Sequence, residues 1–314
     1  MATTADALLA EIRRSGSLSS VSVVGLEDAD LFAHADSELV DTLVPLMLGA
    51  QEELYQRVFN QTIVAGTAPY RINKRAALSR LNTVAWINSD GTGRNLVRLD
   101  PKRVLELSVL TTQQGVASHY YLEGSRVVLW PTPSAAGTLR IRAFVRPSRM
   151  CLTTAGASTA LAVTAVSVGS TLTTLTTAAH GITTSGVRDV VAATPSYEHL
   201  AVDSTATVAS STTVTIPNVD FTTAPEVGDW MCASDQAPVI QLPRELHPAL
   251  VELTVARILR ALGKRAEAKD HADEATRLVG IGIQALTPRV DTADRKIVGG
   301  PHFRNRGPIG WGGQ

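Results

Sequence analysis

The chain has 314 residues, 44% of them hydrophobic and 18% charged, with mean hydropathy +0.08 and a formal net charge of zero. That content supports a sizeable core and argues against wholesale disorder. The only two cysteines, Cys151 and Cys232, argue against a disulfide scaffold or a multi-cysteine metal site.

The start, MATTADALLAEIRRSG, reads as a short first helix and lacks the basic leader and apolar run of a secretory signal. No stretch approaches 18 consecutive apolar residues, so no membrane span is expected. Residues 36–60 place Leu39, Leu43, Met47, Ala50, Leu54 and Val58 at helical spacing. Asp36 or Ser37 can cap that helix, and Pro45 should kink or divide it.

From Pro69 the pattern shortens. Leu81, Thr83, Ala85 and Ile87 alternate into the turn Asn88-Ser89-Asp90-Gly91, and a second run follows at Leu96–Leu99. Glu123-Gly124 reads as a hairpin turn, Pro131 and Pro133 end a strand, and LRIRAFV puts Leu139, Ile141, Ala143 and Val145 on one face. A small antiparallel meander is expected.

Residues 151–238 differ in kind. Nineteen of them are threonine, interleaved with alanine, valine and serine. Stiffness at χ1 favours strands for threonine and valine, so the segment reads as an all-β module inserted between helical parts. It carries one basic and seven acidic residues, a net of −6, which leaves +6 on the rest of a neutral chain. So sharp a charge step suggests a domain boundary.

Helical spacing returns after 238. Leu246, Leu250, Val251, Thr254, Val255, Ile258, Leu259 and Leu262 make one stripe. Gly263 breaks it, and Ala268, Ala272, Ala275 and Val279 give a second helix with a small-residue face. The expected fold class is therefore α+β: a helical bundle core with a small β-meander, an inserted threonine-rich all-β domain and an extended C-terminal arm. The divisions are 1–150, 151–238, 239–287 and 288–314.

Catalytic motifs are missing from the sequence: it has no GxSxG elbow, phosphate loop or HExxH, and its seven histidines are scattered. No enzyme activity and no cofactor are expected. Two features remain. Arg71, Lys74, Arg75, Arg80, Arg94, Arg98, Lys102, Arg103, Arg140, Arg142, Arg146 and Arg149 cluster in the sheet region. They read as a solvated face, or as a surface toward an acidic partner or nucleic acid. The tail from Pro288 has Arg289, Arg295, Lys296, Arg304 and Arg306 against Asp291 and Asp294, a net of +3, with Phe303 and Trp311 among glycines and prolines. Such a segment cannot fold alone, but its arginines and aromatics suit a strap laid along a partner.

The stretches DSELVDTLVPLMLGAQEELYQRVF, YRINKRAALSRLNTVAWINSDGTG and YYLEGSRVVLWPTPSAAGTLRIRAFVRP resemble head-to-tail adaptor (connector) proteins of tailed bacteriophages. LPRELHPALVELTVARILRALGKRAEAKDHADEATRL and the tail after it resemble the C-terminal half of adaptors from short-tailed phages. The resemblance implies a virion protein assembled in the host cytoplasm. It implies a homo-oligomeric ring of twelve copies docked beneath the portal protein, receiving the tail nozzle or hub protein and lying close to packaged DNA. The arm role falls on Arg289, Arg295, Lys296, Phe303, Arg304, Arg306 and Trp311. A second reading makes the threonine-rich segment a carbohydrate- or surface-binding module of a phage tail. Its poverty in aromatics (Tyr197, Phe221 and Trp230 alone) speaks against that.

Overall fold

The computed structural model describes residues 4–17, 27–50, 54–88, 90–100, 102–103, 114–153, 160–182, 184–195 and 198–286, with the backbone alone at 77–80. Helix α1 (Ala5–Ser15) starts at Thr4, whose hydroxyl accepts from the Ala7 N–H at 3.3 Å. Helix α2 (Asp28–Glu38) begins well before the Asp36 cap read from the sequence, with Glu27 and Asp30 forming its capping box. It passes into a π-helical turn, Leu39–Leu43, and then α3 (Val44–Ala50). Pro45 offers no N–H, and its ring opposes the carbonyl four residues back. The chain widens just upstream, where the Val44 N–H reaches the Leu39 carbonyl.

The helix expected to reach residue 60 does not. Residues Gln56–Ile63 form strand β1. Leu54 and Val58 extend the helical spacing, but the LRIRAFV strand supplies β1 with a complete row of partners, Gln56 opposite Phe144 through Ile63 opposite Gly137. Local spacing loses to this non-local pairing.

The sheet region comprises β2 (Pro69–Arg71), β3 (Ala76–Ile87), β4 (Gly93–Asn95), β5 (Val97–Arg98), β6 (Gln114–Gly115), β7 (His119–Glu123), β8 (Arg126–Trp130), β9 (Thr132–Pro133) and β10 (Gly137–Val145). Both predicted turns exist: Gly91 and Gly124 take φ of +83° and +57° between β3 and β4 and between β7 and β8. The meander does not. One sheet has the order β1-β10-β3-β4 and another β2-β8-β7-β5, the latter with β5 parallel to β7. Strand β10 lies between β1 and β3, away from the hairpin that precedes it in sequence. The two sheets share one core, in which Trp86, Ile63, Leu129, Leu139 and Ile141 are fully buried.

Two short strands root the next module: β11 (Arg149–Met150), where the chain enters, runs parallel to β18 (Gln236–Ala237), where it leaves. Between them β12 (Ala160–Val168), β13 (Leu172–Thr177), β14 (Gly186–Val191), β15 (His199–Val208), β16 (Thr213–Pro217) and β17 (Trp230–Ala233) close into a barrel. Alternation sorts its residues: Val163, Leu175, Val190, Val214 and Ile216 fill the core, while Thr164, Thr205 and Thr207 face water. Closure leaves the barrel without an open sheet edge.

After the barrel come α4 (His247–Ala261) and α5 (Arg265–Leu286), separated by Gly263 at φ +80°. The predicted stripe on α4 is buried except at its end, where Leu262 is 41% exposed. Leu8, Ile12, Leu31, Leu39, Leu43 and Met47 share one core with Leu246, Leu250, Val255 and Ile258. The chain is thus α+β, and side chains from helices before the sheets and after the barrel meet in that core. No helix among the described residues is long and apolar enough to cross a membrane.

Candidate functional site

Among the described residues the largest concentration of paired charge lies where the barrel meets the rest of the chain. Arg75 stands at the foot of β3 in a turn where the Asn73 side-chain oxygen accepts its backbone N–H at 2.8 Å. Its Nη1 donates to Asp189 Oδ2 of β14 at 2.7 Å. Its Nη2 donates to the Arg146 carbonyl at 2.9 Å and to Ser148 Oγ at 3.0 Å, and its Nε faces Asp235 Oδ1 at 3.2 Å. The Arg75 side chain is 5% exposed and that of Asp189 is 0%.

Asp189 also accepts from two backbone N–H groups, Asp203 at 2.8 Å and Asp235 at 3.0 Å. Both donors sit at positive φ, +51° and +66°, a conformation aspartate tolerates when its backbone is held locally. Burial pushes the Asp189 carboxyl above its ordinary value, while the Arg75 guanidinium and the two N–H groups pull it back.

Around this centre Lys74 Nζ faces Asp203 Oδ1 at 3.4 Å, and Arg149 Nε faces Asp235 Oδ2 at 3.8 Å. Three of the seven acids in 151–238 therefore oppose bases of the remaining chain. A fourth, Asp229, turns inward to accept the Ala193 and Glu226 N–H groups. Part of the charge step in the sequence therefore goes into seating the barrel. Of the basic cluster, Lys74, Arg75 and Arg149 find their acidic partner within the same chain.

Deeper in the junction, Arg57 of β1 donates to Thr222, and burial lowers its pKa to about 10. His199 of β15 lies against Gln241, whose Nε2 is 3.4 Å from His199 Nδ1. Burial first, then the positive Arg75 and Arg57, hold this histidine well below its ordinary value. A cleft of about 560 Å³ opens beside Arg75, lined by Asp36, Val40, Lys74, Arg146, Arg149 and Asp235 among others. Burial raises Asp36 to about 6, opposed by the Met150 N–H it accepts and by Arg149. Among the described residues no group of three or more His, Cys, Asp or Glu could hold a metal ion. The junction offers positioning rather than a nucleophile with its base.

The residues singled out for the arm, Arg289, Arg295, Lys296, Phe303, Arg304, Arg306 and Trp311, lie outside the described residues. Elsewhere in the basic cluster, Arg140 and Arg142 of β10 are exposed, as expected from their alternation with buried Leu139, Ile141 and Ala143. In the barrel, Trp230 and Phe221 pack partly buried against apolar clusters, and Tyr197 lies outside the described residues. Sequence reasoning missed the Arg75–Asp189 contact, because one arginine in a list of twelve carries no mark of burial.

The SU10 adaptor protein family model matches residues 3–168, from α1 through both sheets to the end of β12. A search of curated proteins finds no match. The match spans more than half of the chain, which therefore belongs to the SU10 adaptor protein family, structural adaptors of bacteriophage virions.

Proposed function

We propose that this adaptor forms a ring of twelve copies that joins the portal to the tail nozzle or hub and continues the DNA channel. The family match over the N-terminal helices and both sheets carries the reading. The shared core of α1, α2 and α4 suits a helical bundle at the wall of such a ring. On this reading 1–150 and 239–287 are the adaptor core, 151–238 is an inserted domain, and 288–314 is the arm. The parallel pairing of β11 with β18 supports the insertion, since chain entry and exit lie side by side. Assembly takes place in the host cytoplasm.

The arm grips the portal through Arg289, Arg295, Lys296, Phe303, Arg304, Arg306 and Trp311. Arginine and aromatic side chains dominate interface energies, and glycine and proline between them suit an extended strap. Deleting 288–314 should leave the melting curve in place and abolish co-sedimentation with portal rings. Undiminished co-sedimentation of the truncated chain would overturn the arm assignment.

A further inference from the structure

The sheet β1-β10-β3-β4 contains arginines at 57, 80, 94, 140 and 142 and no aspartate or glutamate in any of its four strands. Arg57 is spent on the barrel junction, and Arg94 donates to the Ala117 carbonyl at 2.5 Å. Arg140 and Arg142 are different. Both project from the central strand to the face away from the shared core, and among the described residues neither has a carboxylate within ion-pair distance.

The register fixes what surrounds them. Asn60, Arg140, Ala85 and Asn95 make one row across the four strands, and Val58, Arg142 and Thr83 the next. Arg140 Nε donates to Asn60 Oδ1 at 3.3 Å, which steadies one guanidinium, and among the described residues no other side chain accepts from it. The nearest acid in the β3–β4 turn, Asp90, is occupied by the Thr92 N–H at 2.8 Å and hydroxyl at 2.6 Å.

We propose that this face binds the phosphodiester backbone of nucleic acid without reading its sequence. Two like charges held two residues apart on a rigid strand repel each other, weakly in water, and an anion lying over both offsets that repulsion. Protein partners usually meet a core of apolar and aromatic side chains, and among the described residues this face offers Val58, Ala85 and Ile87, with no exposed aromatic, among arginine, asparagine and threonine. Arginine with neutral amides and hydroxyls is the equipment of backbone contacts that position but do not specify.

The test uses the full-length protein and fluorescence anisotropy with 20-base-pair DNA duplexes of two unrelated sequences, over a salt series from about 50 mM. Equal affinity for both duplexes is expected. Arg140→Gln/Arg142→Gln should bind roughly tenfold more weakly at low salt and lower the slope of log K against log salt by about 2. Arg126→Gln on the other sheet should change neither, and circular dichroism confirms that each variant is folded. A double variant that keeps wild-type affinity and slope overturns the proposal. So does one that loses self-association or capture of an acidic protein while its DNA binding persists. Because no portal is present, failure here leaves the ring reading standing.

Discussion

Arg75 Nη1 and Asp189 Oδ2 meet at 2.7 Å inside the protein, one from the adaptor sheets and one from the barrel. A buried ion pair adds little net stability when formed, because desolvating two charges offsets most of their attraction. Removing one partner is costly, since a bare charge stays behind. Asp189→Ala would take from the Arg75 guanidinium its fully buried carboxylate, leaving the half-exposed Asp235 to balance it, and would strand the N–H groups of Asp203 and Asp235. The expected loss is about 3–5 kcal/mol in urea denaturation. A loss below about 1 kcal/mol would mean that water replaces the carboxylate and that the barrel is not clamped here.

The junction should also respond to acid. The folded state holds His199, and to a lesser degree His247, below the ordinary value of 6.5. The unfolded chain takes up these protons first, so stability present at neutral pH is lost as pH falls below about 6.5. Each group contributes a slope of about 1.4 kcal/mol per pH unit until its folded form titrates. Asp36 acts in the opposite sense: its folded carboxyl titrates at about 6 rather than 3.8, so it restores stability as pH falls through that window. In denaturation at a series of pH values, His199→Gln should flatten the acid loss and Asp36→Asn should steepen it. An unaltered slope in His199→Gln would acquit the histidine.

How much of this could be read from the residues depends on the range of the interaction. The α4 stripe from Leu246 to Leu259 was legible because helix contacts repeat every three or four residues. The hairpins at Gly91 and Gly124 were legible because the turn chemistry is local. Strand β1 was not, since Leu54 and Val58 fit a helix equally well and only β10, some eighty residues later, decides the matter. The meander failed for the same reason, as β10 takes β1 and β3 and leaves β8 to β2 and β7. The charge step at 151–238 was visible, but its meaning required knowing that Arg75, Lys74 and Arg149 face Asp189, Asp203 and Asp235.

Gly137 opens β10 at a point where a side chain has no room. A Cβ there would lie 2.9 Å from the Ile87 carbonyl oxygen and 3.2 Å from two atoms of the Trp86 ring. Trp86 is 1% exposed, and Ile87 is bound into the pairing with Thr138, so neither neighbour can yield cheaply. Gly137→Ala should cost about 1–3 kcal/mol by overpacking and disturb near-ultraviolet circular dichroism from Trp86. Stability equal to wild type, with an unchanged tryptophan signal, would show that the strand end relaxes freely.

The two thiols provide a reporter of barrel opening. Cys151 follows β11 and Cys232 lies on β17, and they share a small apolar cluster with Ala160 and Trp230 at the barrel root. Burial raises Cys151 to about 11 and Cys232 well above 9, so at pH 8 few thiolates exist and access is blocked. Native protein should leave both thiols unreacted with an aromatic disulfide reagent, and denatured protein should yield two equivalents. If Arg75 and Asp189 hold the barrel in place, Asp189→Ala should react faster than wild type while still folded by far-ultraviolet circular dichroism. A thiol that reacts rapidly in the native wild type would contradict the packed root. Equal slow rates in wild type and variant would separate the root from the clamp, assigning barrel seating to the β11–β18 pairing and the Cys151 N–H bond to the Ala237 carbonyl at 3.0 Å.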